Sequence, residues 1–165
     1  MPSSPRNPHD EVGRKRPVHW TAHDEHGQST IVFVTVCSVQ RKRIFDRAEA
    51  VAVILEAWRK ADAWAVGRYV ILPDHIHLFC SPRRAEIDLP TWVRFWKSHV
   101  ARHWPWPEER PVLQEGFWDT QLRSGDSYAG KWAYVKDNPV RHRLVEKAED
   151  WPWSGEIETL DWREG

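Results

Sequence analysis

Cysteine is scarce in this chain: the 165 residues include two, Cys37 and Cys80. They are too few and too far apart for a disulfide framework or a zinc ribbon. Both lie in apolar runs, so they read as buried free thiols. No stretch approaches the ~18 consecutive apolar residues of a membrane-spanning helix, which excludes a helical span. The opening segment, MPSSPRNPHDEVGRKRP, lacks the apolar stretch of a signal peptide, so a cytoplasmic location is expected. A surplus of charge is missing too, with 24 basic side chains against 24 acidic ones. Nucleic-acid-binding proteins usually carry a basic excess, so this balance argues against that class, but a global sum is blind to charge segregated by face. The sequence has no internal repeat.

What is present is globular in character, with 41% hydrophobic and 29% charged residues. The length suits a single domain. Residues 1–28 are rich in Pro, Ser, His and charge without apolar periodicity. They read as a flexible tail carrying the basic cluster Arg14, Lys15 and Arg16, ahead of one domain over 29–165. The 12 tryptophans are conspicuous. They serve either as core fillers or as platforms on which unpaired bases stack, with Trp106 and Trp118 the candidates for stacking.

The β-branched run TIVFVTVCS predicts a strand over Thr30–Ser38. After the basic loop Arg41, Lys42 and Arg43, a helix is expected from near Asp46, where Asp46 and Glu49 have capping-box spacing. Its apolar face is Val51, Ile54, Leu55, Trp58, Ala61 and Ala65. Two strands, Gly67–Leu72 and His75–Cys80, are joined by the tight turn Pro73-Asp74. A second helix over Pro90–Trp104 presents Trp92, Val93, Trp96, Val100 and Trp104, and ends at Pro105 and Pro107. A strand over Val112–Leu122, a turn with a helix N-cap signal at 124–127, and a third helix to about Asp137 follow. Pro139 biases Asn138 out of the helical region. Trp151-Pro152-Trp153 is expected to fold back over the core. The order predicts an α+β fold of the ferredoxin-like, split βαβ kind, with a central antiparallel sheet and helices on one face.

Two groups of residues carry chemistry. His75 and His77 alternate with Ile76, so both imidazoles share one strand face about 7 Å apart, a spacing that lets them share a metal ion. The bland alternative is a pair of surface histidines. Tyr134 and Asn138 are one helical turn apart. A tyrosine hydroxyl can attack a phosphodiester when a base or metal-bound hydroxide takes its proton. The Asn138 amide oxygen could add a hard ligand to the two imidazoles. From spacing alone, the reading that comes first is Tyr134 as a half-buried amphipathic packing residue and Asn138 as a helix C-terminal residue before Pro139. Asp74 adjoins His75 but, by strand alternation, is expected on the opposite face.

Taken together, YVILPDHIHLFCSP resembles the strand–turn–strand of the single-tyrosine HUH transposases. The segment GFWDTQLRSGDSYAGKWAYVKDNPVRHRLVEKAEDWPWSG is similar to the C-terminal half of the REP-associated tyrosine transposases, and TIVFVTVCSVQRKRIFD to the family's first strand and basic loop. The likeness covers about residues 30–155. It implies an HUH endonuclease fold, a divalent ion (Mg²⁺ or Mn²⁺) held by His75, His77 and Asn138, and Tyr134 as nucleophile. It also implies single-stranded or hairpin DNA as substrate, a 5′-phosphotyrosyl intermediate, nucleoid association, and a monomer in preference to a homodimer. The neutral charge and the acidic, Trp-rich C-terminus depart from the pattern.

Candidate phosphate partners are Arg83, Arg84, Lys97, Arg123 and Arg141, then Arg94, Arg102 and Arg143; taken singly, each reads first as a solvated surface charge. His99 and His103 form a second possible metal pair, one the resemblance does not use. Tyr128 is a rival nucleophile without an Asn partner. Three functions compete: a DNA strand transferase, a catalytically idle hairpin-binding module, and a metal hydrolase in which Tyr134 is structural. A Tyr134-dependent covalent adduct distinguishes the first. His75→Ala or His77→Ala is expected to abolish cleavage while sparing the fold.

Overall fold

The computed structural model describes residues 30–123 and 127–160. The expected tail with Arg14, Lys15 and Arg16, and most of the 124–127 turn, lie outside the described residues. Strand β1 (Val32–Cys37) is followed by helix α1 (Ala48–Lys60), strands β2 (Trp64–Ile71) and β3 (His75–Pro82), and helix α2 (Leu89–His103). Strand β4 (Trp118–Gln121), helices α3 (Tyr128–Lys136) and α4 (Asn138–Arg141), and strand β5 (Ser154–Glu156) complete the order. The strands form one antiparallel sheet, β4-β1-β3-β2-β5, with β3 at its centre. The expected antiparallel α+β architecture is present. Among the described residues, no helix is long and apolar enough to cross a membrane.

Strand alternation distributes the side chains between two apolar layers. Val32, Val34, Val36, Ile76, Leu78 and Cys80 face α1 and α2, where Ile54, Trp58, Trp92 and Trp96 fill the space. Ile31, Phe33, Val70 and Phe79 face the other way and meet Tyr128 and Val135 of α3, with Trp151 and Leu160 behind them. Helices therefore cover both faces, where the sequence reading placed them on one. Trp151 is fixed by donating its indole N–H to the Ile71 carbonyl at 3.0 Å, so the C-terminal segment does fold back.

Three local expectations are corrected. Helix α1 has no capping box: its N-cap is Arg47, without a side-chain cap bond. The Arg47 guanidinium instead grips the Glu109 carboxylate at 2.6 and 3.1 Å, bonds the Ile44 carbonyl, and lies 3.5 Å from the centre of the Trp106 ring. A long-range clamp thus fixes the helix start where a local cap was expected. The strand expected over 112–122 shrinks to β4 plus an isolated bridge between Ser38 and Leu113. Gly116 takes a left-handed φ of 78°, and the Lys97 ammonium binds the carbonyls of Gln114 and Gly116 that a longer ladder would use. Third, Pro139 does not exclude Asn138 from a helix. It occupies the first turn of α4, where a missing N–H costs nothing.

Helix α2 is capped as a local signal should cap it: the Asp88 carboxylate accepts from the Thr91 N–H at 2.8 Å. Asp88→Ala is expected to cost about 1 kcal/mol, read as a lower denaturant midpoint at unchanged m-value.

Candidate functional site

His75 and His77 open the central strand, and β3 pairs them with Cys37 and Thr35 of β1. Both are buried, His77 to 1% exposure. Their rings stand 4.8 Å apart on the sheet face shared with Phe33 and α3, and His77 stacks on Phe33 at 5.2 Å. Each Nδ1 is engaged. That of His77 lies 2.9 Å from the Thr35 hydroxyl, and that of His75 lies 2.7 Å from an Asp74 carboxylate oxygen. The Asp74 carboxylate favours a proton on His75 Nδ1, which leaves Nε2 as that ring's lone-pair nitrogen, with the Arg41 guanidinium 3.3 Å from the same Nδ1. The Thr35 hydroxyl can donate to His77 Nδ1 or accept from it.

Asp74 corrects the sequence reading, which put it on the opposite face. It precedes β3 in the turn, where alternation does not apply, and its side chain comes back to His75. Arg41 reaches the same carboxylate at 3.1 Å from the Val39–Arg41 turn, where its backbone takes a left-handed φ of 55°. Burial alone would raise the Asp74 pKa, but the hydrogen bond and charge of His75, joined by Arg41, hold it at about 2. The carboxylate is therefore ionised at neutral pH and anchors His75.

The second half of the site comes from α3 and α4. Ser127 caps α3 by accepting from the Gly130 N–H at 2.9 Å. Tyr134 projects from this helix with 62% of its surface exposed, while Asn138 begins α4 and is buried. One guanidinium joins them: an Arg141 nitrogen donates to the Tyr134 carbonyl at 2.6 Å and to the Asn138 side-chain oxygen at 3.0 Å. The same group lies 3.9 Å from the centre of the Tyr134 ring. Just after α4, His142 donates its backbone N–H to the Asn138 carbonyl and brings its ring within 5.7 Å of the His75 ring. Its pKa is lowered, first by burial and then by the His75 charge. A chain of contacts thus runs from His77 through His75 and His142 to the Asn138–Arg141–Tyr134 group.

Sequence reasoning missed Asp74, Arg41 and His142. Asp74 adjoins the H-x-H pair, and His142 follows the Asn-Pro segment closely, but only the fold turns either towards His75. Of the five candidate phosphate partners, Arg141 alone adjoins Tyr134. Arg83 pairs with Glu158 and Arg84 with Asp62, just beyond the far end of β3, roughly 23 Å of strand from His75. Arg123 follows β4 at that same end, and Lys97 holds the Gln114–Gly116 loop. Trp118 pairs with Thr35 and so stands level with His77 on the edge strand. Trp106 lies under Arg47. Tyr128 is buried against Phe79, accepts from the Arg68 backbone N–H at 3.4 Å, and has its pKa raised by burial; it packs in the core. Cys37 and Cys80 are both buried, as expected.

No protein-family model matches the chain. Two curated proteins do. One, from Haemophilus influenzae and provisionally named a REP-associated tyrosine transposase, is 29% identical, over 56% of this chain and 62% of its own length. The other, the REP-associated tyrosine transposase of Escherichia coli K12, is 26% identical, over 54% of this chain and 52% of its own length. This chain is similar to REP-associated tyrosine transposases over a little more than half of its length. It spans roughly half to three-fifths of the length of these relatives. A solved REP-associated tyrosine transposase bound to a REP hairpin shares the fold, with a TM-score of 0.67 at 20% identity over 87% of this chain and 82% of that one.

Proposed function

We propose that this chain is a DNA strand transferase that cuts and rejoins single-stranded or hairpin DNA, with Tyr134 as nucleophile. The observation that carries the reading is the convergence of two elements. The start of β3 supplies His75 and His77, and the α3–α4 junction supplies Tyr134, Asn138 and, through His142, a ring contact with His75. The similarity to REP-associated tyrosine transposases and the fold shared with a hairpin-bound member support the substrate class.

The donor set fits a divalent cation such as Mg²⁺ or Mn²⁺. Two buried imidazoles have Nδ1 engaged. The Asn138 amide oxygen is the third ligand in this proposal: it has two lone pairs, and Arg141 occupies one. A bound divalent cation would polarise the scissile phosphate and offset charge in an in-line displacement.

The chain's own residues account for the rest. Tyr134 is exposed, so a strand can approach its hydroxyl without local unfolding. Arg141 orients the ring and places a fixed positive charge beside the incoming phosphate. Attack by the phenol oxygen forms the 5′-phosphotyrosyl bond as the 3′-oxygen leaves. Reversal by a 3′-hydroxyl restores the phosphodiester without an external energy source.

The test is incubation with hairpin DNA in the presence and absence of Mn²⁺, followed by denaturing electrophoresis. A covalent adduct that depends on the cation supports the proposal; hairpin binding without any adduct indicates an idle binding module. Arg141→Ala is expected to slow adduct formation about tenfold or more by releasing the Tyr134 ring, with stability changed by no more than about 1 kcal/mol. Single-turnover rates and a thermal melt check both halves of that statement.

A further inference from the structure

Helix α2 carries a second pair of histidines that the proposed reaction does not use. His99 and His103 lie one turn apart, with ring centroids 4.3 Å from each other. Their rings border a cleft of about 680 Å³ between α1 and α2, whose walls include Glu56, Lys60 and Phe95. Neither ring belongs to the buried face of α2, which consists of Leu89, Trp92, Val93, Trp96 and Val100. His75 and His77 face the other side of the sheet, so the sheet and its helical layer separate the two pairs.

We propose that His99 and His103 together chelate a transition-metal ion of the Zn²⁺ class, as a second cation site distinct from the one at His75 and His77. Imidazoles at i and i+4 on one helix face are a bidentate arrangement for Zn²⁺. Two nitrogens each about 2.0–2.1 Å from a tetrahedral ion stand about 3.3 Å apart, within reach of these rings by small side-chain rotations. Imidazole nitrogens favour Zn²⁺, Ni²⁺ or Cu²⁺ over Mg²⁺. Arg59 holds both oxygens of the nearby Glu56 carboxylate, at 2.6 and 2.8 Å, so water completes the coordination of an ion on the two imidazoles.

The experiment uses the full chain in a His75→Ala background, which weakens the other site. Zn²⁺ at a hundredfold excess over its Kd is expected to raise Tm by about 5–10 °C, because an ion that binds only the folded form stabilises it. Adding His103→Ala, or separately His99→Gln, is expected to remove that rise while leaving the zinc-free Tm unchanged. Zinc held by other histidines would shift all these proteins alike, and that result overturns the proposal, as does the absence of any shift in the His75→Ala protein. His103→Ala alone is expected to leave Tyr134-linked adduct formation intact, so failure of the zinc site and failure of the strand-transfer reading remain separable.

Discussion

Tyr134→Phe is expected to remove the protein–DNA adduct altogether, a loss of at least about 10³-fold in strand cleavage, while hairpin binding and thermal stability stay near those of the unaltered protein. The substitution deletes one oxygen, and in the proposed reaction that oxygen forms the covalent bond, so no neighbouring group can compensate. The structure explains why little else should change. The side chain is 62% exposed, and its recorded contacts use the ring face and the backbone carbonyl, both of which phenylalanine keeps. Substitutions at such positions usually fall within about 0.5 kcal/mol. Denaturing gels of a labelled hairpin, paired with a melt of each protein, give the comparison. Cleavage that survives in the Phe variant would sink the proposal and point to hydrolysis by activated water.

His77→Ala is expected to have two large effects together. Adduct formation should lose its response to Mn²⁺ and fall by at least about 10²-fold, as for loss of a metal ligand. The protein should also lose about 2–4 kcal/mol of stability, a fall in Tm of roughly 5–15 °C. The sequence reading anticipated the first effect and expected the fold to be largely spared. In the fold, His77 is 1% exposed, stacked on Phe33 and bonded to Thr35, so truncation leaves a cavity and strands a buried hydroxyl. His77→Asn keeps a polar group near Thr35 and should recover part of the stability without the metal response. Assays well below the lowered Tm, with hairpin binding as a control for folding, separate the two effects. An Ala variant that retains cation-dependent cleavage would show that this imidazole holds no metal.

Much of the fold was legible because its signals are local. Alternation in TIVFVTVCS and HIHLFC gives the paired strands β1 and β3 and places both imidazoles on one face. The Asp88-Leu89-Pro90 sequence and the Trp92/Trp96 stripe give α2. The misses share a physical cause: each depends on a contact between residues distant in sequence, or on a turn that suspends a periodic rule. Arg47 starts α1 through Glu109, Lys97 removes carbonyls from the β4 ladder, and Asp74 reverses its direction in the turn before β3. His142 carries no sequence signal for its proximity to His75; α4 and its C-terminal residue bring the two together.

The break between α3 and α4 has a mechanical consequence. Had Tyr134 and Asn138 occupied one continuous helix, any tilt would have carried phenol and amide together. With Asp137 between them, α3 and α4 are separate helices, and the Arg141 side chain bridges the break by bonding the Tyr134 carbonyl on one side and the Asn138 side-chain oxygen on the other. In the proposed reaction, loss of that bridge would free the Tyr134 hydroxyl to move relative to Asn138.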